Sequence, residues 1–254
     1  MPIRVFNENR LTRQPFFLSL INYLELQEDV TLRQIHKEFE QVKNLDRQID
    51  SFIAAGFIWR KDKRYGNNFK VFADEDFDLV LTQEEPAAYR YEEPFFIAKG
   101  SQLEKRLDES ITQQVLKNQT NEIELHFSSR YDLSTDSLFN YFYKVANNLP
   151  LTVLEQEVYQ IMGDVDQEYA LKYMTSFLLK FTRKDIVKAR PDIFIRALQK
   201  YGYIEAVCEK EFKSLLKFDE ETQIREVSFD QAQDFIAAQI QQTKVLNNFI
   251  SIGG

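Results

Sequence analysis

Apolar positions in the first quarter of the chain recur with the period of short amphipathic helices. A first helix is predicted just after Thr12, with apolar residues at i, i+3 and i+4 spacing, namely Phe16, Phe17, Leu20, Ile21 and Leu24. Thr31 and Gln34 form a capping-box pattern that opens a second, shorter helix. A third helix is predicted over residues 44–55, and Gly56 is placed to end it.

Strand-like segments follow this third helix. Residues 57–61 and 69–72 are rich in aromatic and β-branched side chains, which are typical of strands. The turn-rich residues 65–68 separate the two segments, so the pattern predicts a β-hairpin with its turn at 65–68. Between Phe57 and Phe72 the chain carries five bases and one acid, a charge density suited to phosphate contact.

Three helices followed by a hairpin resemble a winged helix-turn-helix domain. Residues 31–35, 44–49 and 54–58 carry this resemblance. It implies that the third helix enters the major groove of DNA and that the hairpin, the wing, touches phosphate. The candidate nucleic-acid-binding residues are Arg47, Gln48 and Ser51 on the third helix and Arg60, Lys61, Lys63, Arg64 and Lys70 in the wing.

Two further observations bear on this hypothesis. The outward face of the third helix also carries Asp46 and Asp50, which would repel a phosphate backbone, so a merely solvated face remains an alternative. Residues 11–17 and 62–65 resemble an uncharacterised family of similar length found in streptococci and their relatives. That family resemblance implies no activity.

The C-terminal part of the chain is predicted to be mostly helical. The strand-like exception is 122–127, where apolar and polar residues alternate. Capping patterns and apolar stripes predict helices over 101–117, 135–147, 152–162, 164–181 and from 228 onward. The last of these helices carries Phe235, Ile240, Leu246 and Ile250 in one stripe, a candidate homodimer seam that the core could equally bury.

A candidate internal repeat lies inside this part. Residues 182–204 parallel residues 31–58, with Gly202 standing 146 positions after Gly56. The segment predicts a second, degenerate helix-turn-helix whose wing is acidic. A chance likeness between two amphipathic helices that end at glycine is the alternative.

Charge divides the chain into three predicted regions. Residues 1–72 have a net charge of +3, residues 73–94 have −7, and the whole chain has −8. We therefore predict a winged-helix domain over 1–72, an acidic connector over 73–100 and a helical domain over 101–254. An ordered loop with an edge strand at Phe77, Leu79 and Leu81 is the alternative for the connector. The predicted fold class is mainly α with a small β component.

Candidate chemistry is sparse. The chain contains no phosphate-binding, nucleophile-elbow or zinc-protease motif. One cysteine, Cys208, and two histidines, His36 and His126, give little basis for a disulfide or a metal site. We therefore expect no enzyme, no cofactor and no metal. The lone cysteine and the absence of a long apolar run lead to the expectation of a cytoplasmic protein with no membrane partner.

The favoured hypothesis is a nucleic-acid-binding regulator that contacts double-stranded DNA through its basic wing. The alternative is a non-enzymatic protein-interaction or scaffold module built on the same fold. Because a net charge of −8 opposes the approach of a single basic domain to a polyanion, we expect a DNA-binding form to be a homodimer.

Overall fold

The computed structural model describes residues 2–27, 30–81, 85–219, 221–222 and 224–252. It is 37% helical and 25% strand, with the strands in five small sheets. The prediction of a mainly α protein is therefore wrong, because the fold is mixed α/β. Long-range sheet pairing takes up segments of the C-terminal part whose local pattern suits a helix equally well.

Helices and strands are interspersed along the whole described chain. The α-helices are α1 (Pro15–Glu25), α2 (Leu32–Glu38), α3 (Leu45–Ala54), α4 (Gln102–Glu109), α5 (Leu138–Ala146), α6 (Val153–Met162), α7 (Gln167–Leu178), α8 (Ile193–Lys200) and α9 (Ala232–Gln239). The strands are β1 (Ile3–Phe6), β2 (Val30–Thr31), β3 (Ile58–Lys61), β4 (Arg64–Asn67), β5 (Val71–Phe72), β6 (Ala87–Arg90), β7 (Phe95–Ala98), β8 (Ile111–Asn118), β9 (Ile123–Arg130), β10 (Val187–Lys188), β11 (Ile204–Cys208), β12 (Glu211–Ser214), β13 (Lys217–Phe218), β14 (Arg225–Ser228) and β15 (Phe249–Ile252).

The described residues group into two units, each discontinuous in sequence. The first unit takes its residues from 1–82, 90–107 and 228–240. The second takes them from 83–89, 108–227 and 241–254.

The first unit packs α1 and α3 against a three-stranded antiparallel sheet of order β2-β4-β3. Its core is aromatic: the fully buried rings of Phe17 and Phe52 meet edge to face with centroids 5.0 Å apart. The predicted apolar stripe of α1 and the predicted capping box of α2 are confirmed, since Thr31 and Gln34 exchange side chain-to-backbone hydrogen bonds.

A second sheet in the first unit has the order β1-β7-β5. Its strand β5 was predicted to be the second strand of the hairpin, which is wrong, because Val71 and Phe72 pair in parallel with β7 instead. The edge strand considered at Phe77, Leu79 and Leu81 is also wrong, since none of these three residues is in a strand. Residues 82–84 of the predicted connector lie outside the described residues.

The second unit is built on a four-stranded sheet of order β13-β15-β9-β8. The strand predicted over 122–127 is confirmed as β9. Two helix predictions for the C-terminal part of the chain are wrong in extent. The helix over 101–117 ends at Glu109 and continues as strand β8, and the last helix ends at Gln239. Ile250 lies fully buried in β15, so the predicted helical dimer seam does not exist, while dimerisation itself stays a prediction.

One predicted cap in the second unit has an additional role. Thr152 and Glu155 form the capping box of α6, as the sequence predicts. The Glu155 carboxylate also accepts hydrogen bonds from Lys144 Nζ at 2.8 and 2.9 Å, and both side chains are almost completely buried. A single carboxylate thus caps the helix and neutralises a buried cation, whose burial would otherwise be unfavourable.

Residues 187–214 of the second unit form a further sheet of order β10-β12-β11 around α8. In the predicted second helix-turn-helix over 182–204, the preceding helix α7 and the helix before Gly202, α8, are present, but a short strand, β10, stands where the helix between them is expected. The helix–glycine–hairpin part of the predicted likeness is present, with Gly202 between α8 and β11.

Candidate nucleic-acid interface

The hairpin β3–β4 places its charged residues at the end of two paired strands. Ile58 faces Asn67 and Lys61 faces Arg64, which leaves Asp62 and Lys63 as a two-residue turn. Both turn residues have positive φ, 50° and 60°, as a type I′ turn requires. The turn predicted at residues 65–68 is wrong. The observed register buries Tyr65, which would lose that burial in a turn.

Three cations form the tip of this hairpin. Lys61, Lys63 and Arg64 are all exposed, and they stand within four consecutive positions. Within the described part of the chain, neither Lys61 nor Lys63 enters an ion pair. We call Lys61, Lys63 and Arg64 the basic tip.

The other two predicted wing residues are engaged elsewhere. Arg60 Nη1 lies 3.3 Å from Asp50 Oδ1 on α3. Lys70 lies between β4 and β5, where its Nζ is 2.6 Å from Asp76 Oδ1. The hydrogen bond from Lys70 lowers the pKa of Asp76. The structure therefore brings three of the five predicted wing cations together and separates Lys70 from them.

Helix α3 buries Leu45, Ile49 and Phe52, while Arg47 on its opposite face is exposed. The two polar residues predicted to read bases are partly covered. Gln48 Nε2 donates to the carbonyl oxygen of Lys43 at 2.8 Å. Ser51 Oγ donates to the carbonyl oxygen of Gln48 at 2.6 Å. Arg47 is therefore the one predicted α3 contact that is exposed rather than partly covered.

Both exposed carboxylates of α3 lie beside basic side chains. Asp50 pairs with Arg60, and Asp46 Oδ1 lies 2.7 Å from His36 Nε2 on α2. Sequence reasoning missed the pair between His36 and Asp46, because ten positions and a helix–helix junction separate the two residues. The Arg60 guanidinium offsets the repulsion that Asp50 would exert on a phosphate backbone.

Trp59 is a second residue that sequence reasoning missed. It stands directly opposite Gly66 in the pairing of β3 with β4, on the same sheet face as Lys61 and Arg64. A Cβ added to Gly66 would lie only 2.5 Å from Trp59 Cζ2, so the indole lies against the glycine backbone. The signal in the sequence was the lone tryptophan immediately before a basic run, with a glycine seven residues later.

Two searches of the described residues bear on other kinds of site. Among them, no group of three or more His, Cys, Asp or Glu residues is arranged to hold a metal ion. No helix in this part of the chain has the length and apolar character needed to cross a bilayer.

Comparison with known proteins gives one match. No curated protein matches the chain, and no solved structure does. The segment that matches is residues 3–110, which is less than half of the chain. It contains α3, the hairpin and Trp59. Residues 3–110 are similar to a family described as a domain of unknown function, DUF1803, in agreement with the expected resemblance to an uncharacterised family.

Proposed function

We propose that this protein binds nucleic acid and that the basic tip contacts the phosphate backbone. The observation that carries the proposal is the tip itself: Lys61, Lys63 and Arg64 are exposed together in and beside a tight two-residue turn. Charged groups that neutralise phosphates supply most of the sequence-independent affinity for nucleic acid. A rigid hairpin holds such groups together without a large ordering cost.

The arrangement of elements supports this proposal. The order of three helices, α1, α2 and α3, followed by the hairpin β3–β4 is the one expected of a winged helix, in which the hairpin is the wing. The ion pair between Asp50 and Arg60 also reduces the negative field of α3 near the hairpin. Both observations favour an approach of nucleic acid to this face.

The same structure favours backbone contact over base reading. Gln48 and Ser51 already bond backbone carbonyl oxygens of their own segment, which leaves Arg47 as the candidate for a base edge. Base-edge contacts specify sequence, whereas phosphate contacts do not. We therefore propose binding with little sequence preference and with double-stranded DNA as one substrate.

Fluorescence anisotropy of a labelled DNA duplex tests this proposal. With three phosphate contacts, the logarithm of the affinity should fall against the logarithm of salt concentration with a slope of about −3. The double variant Lys61→Glu with Arg64→Glu should abolish binding.

A matched control is Lys172→Glu with Lys210→Glu, which changes the net charge equally at exposed residues of the second unit. This control should keep most of the wild-type affinity. If micromolar wild-type protein gives no anisotropy change at about 50 mM salt with this duplex or with a single-stranded oligonucleotide, the proposal is wrong, and the protein-interaction hypothesis takes its place.

A further inference from the structure

We infer that the exposed side of Trp59 is a stacking surface for an unpaired nucleobase, so that the hairpin prefers single-stranded nucleic acid. This inference rests on the proposed function and adds the class of substrate to it. It is carried by the position of the indole on Gly66, by the cavity beside it and by the cations on the same sheet face.

Gly66 is the first part of the argument. Its φ is not in the left-handed region, so the backbone conformation itself does not call for glycine. The position instead requires the absence of a side chain, since an added Cβ would lie within 2.7 Å of three atoms of the Trp59 indole. A glycine inside a strand commonly marks such a close approach. The ring is thus held flat on the sheet, although 36% of Trp59 remains exposed.

An open cavity of about 470 Å³ borders this ring. Phe69 adds a second aromatic wall, and Glu25 and Gln27 from the end of α1 add polar edges. Asn67 Nδ2 fixes the Glu25 carboxylate through a hydrogen bond of 3.0 Å. A flat aromatic ligand that carries N–H donors on its edge, as a nucleobase does, matches this combination of rings and acceptors.

The position of the cations completes the argument. Lys61 and Arg64 lie on the same face as Trp59 and Gly66. On each strand the cation is two residues nearer the turn. Two residues of a strand span roughly 7 Å, which is comparable to the distance from a base to its own phosphate. An aromatic ring for a base beside cations for the backbone is the combination that proteins use for single strands.

Titration with single-stranded oligothymidylate of about 12 nucleotides tests the inference. This oligomer does not pair with itself, and Trp59 is the single tryptophan of the chain, so all tryptophan emission reports on the proposed site. We expect the emission to be quenched as the oligomer binds. Trp59→Ala should weaken its binding roughly 5- to 150-fold, while Trp59→Phe should keep most of the affinity.

Two further variants separate this inference from the proposed function. Gly66→Ala should displace the indole and weaken oligothymidylate binding, with circular dichroism used to verify that the variant is folded. Anisotropy with a labelled duplex should give the same affinity for Trp59→Ala as for the wild type.

The outcomes distinguish the two proposals. Unquenched emission at saturation, together with full affinity of Trp59→Ala, overturns the stacking inference. If Lys61→Glu with Arg64→Glu still abolishes binding in that case, the proposed function stands. Failure of the wild type to bind either oligomer overturns both.

Discussion

The hairpins β3–β4 and β11–β12 share a backbone plan but not a surface. Each follows a helix whose last turn is closed by a glycine with positive φ, +80° at Gly56 and +68° at Gly202. Each also belongs to a three-stranded sheet with its second strand in the centre, in the orders β2-β4-β3 and β10-β12-β11.

The likeness extends to the hydrogen bonds at the junction. The Phe57 N–H donates to the Phe52 carbonyl oxygen at 3.0 Å, and the Tyr203 N–H donates to the Leu198 carbonyl oxygen at 2.9 Å. The predicted offset of 146 positions therefore holds from the helix into the hairpin. In both units a glycine ends a helix and allows the chain to continue as the first strand of a hairpin.

The tips of the two hairpins differ in charge. In the first, Lys61 and Arg64 flank an acid–base turn, whereas in the second the flanking residues are Cys208 and Glu211. Glu211 is also paired with Lys188 at 2.9 Å. The comparison teaches that one backbone plan can carry two different surfaces, because a few side chains at the tip, and not the fold, set the charge there.

Exchanging the tips should give the largest effect. Lys61→Cys with Arg64→Glu gives the first hairpin the flanking residues of the second, and we expect about 100-fold weaker DNA binding. The reason is that each lost phosphate contact costs roughly tenfold at about 0.1 M salt. Anisotropy at fixed salt measures this loss.

The reciprocal exchange, Cys208→Lys with Glu211→Arg, is the control for that experiment. It should strengthen DNA binding, although Lys188 loses its partner. If neither exchange changes the affinity, charge at the hairpin tips does not control binding and the contrast between the two hairpins has no functional meaning.

Replacing the glycine at either helix–hairpin junction should have a smaller effect, on stability, and the effect should be equal at the two junctions. Nothing lies within 4 Å of a Cβ added at Gly56 or at Gly202, so the cost of alanine comes from the positive φ alone. Gly56→Ala and Gly202→Ala should each lower the free energy of unfolding by about 1–2 kcal/mol. Urea unfolding of both variants measures this loss. Clearly unequal losses would show that the two junctions are not equivalent.

The smallest expected effect is a loss of protein stability at low pH, which should arise in the second unit. His126 on β9 is buried, and its Nε2 lies 2.7 Å from Ser251 Oγ on β15. Burial lowers the pKa of His126 below its ordinary value of 6.5, with a smaller opposing contribution from Glu124. The folded state therefore favours the neutral imidazole.

The direction of the pH effect follows from this pKa. As the pH falls below 6.5, the unfolded chain takes up a proton on His126 before the folded chain does, so stability decreases. We expect the thermal midpoint of the wild type to fall between about pH 7 and pH 5 by more than that of His126→Gln. An equal fall in both proteins would contradict this assignment.

The first hairpin provides the contrast for that measurement. Its basic tip contains no histidine, the side chain type whose ordinary charge change falls between about pH 5 and pH 8. Between about pH 5 and pH 8, the affinity of the folded wild type for oligothymidylate should therefore change less with pH than the stability of the protein does.

Much of the first unit could be predicted from its sequence, because its signals are local. The stripe of α1, the Thr31–Gln34 capping box and the end of α3 before Gly56 all involve residues within a few positions of one another. The basic character of the hairpin could also be read from the sequence, since it depends on composition alone. The turn position could not, because it depends on burying Tyr65 in a long-range register.

The second unit shows where local patterns fail. Ile111 and Val115 continue the four-residue spacing of the preceding helix, yet they belong to β8, whose residues pair with β9 from Ile111 opposite Arg130 to Asn118 opposite Ile123. Cys208 follows the apolar residues Ala206 and Val207, yet it is exposed on β11. In both cases the partner of the strand, rather than the residues themselves, determines the outcome.

The sequence by itself therefore determined helices α1 to α3, the capping boxes of α2 and α6 and the charge of the hairpin, because these depend on contacts within about four residues or on composition alone. The tertiary structure decided which segments became strands, as when Ile250 paired with Leu125 across the chain. It also decided that Asp50 meets Arg60 and that Trp59 lies on Gly66. Such pairings depend on hairpin register and on contacts between distant segments, for which a one-dimensional pattern carries no signal.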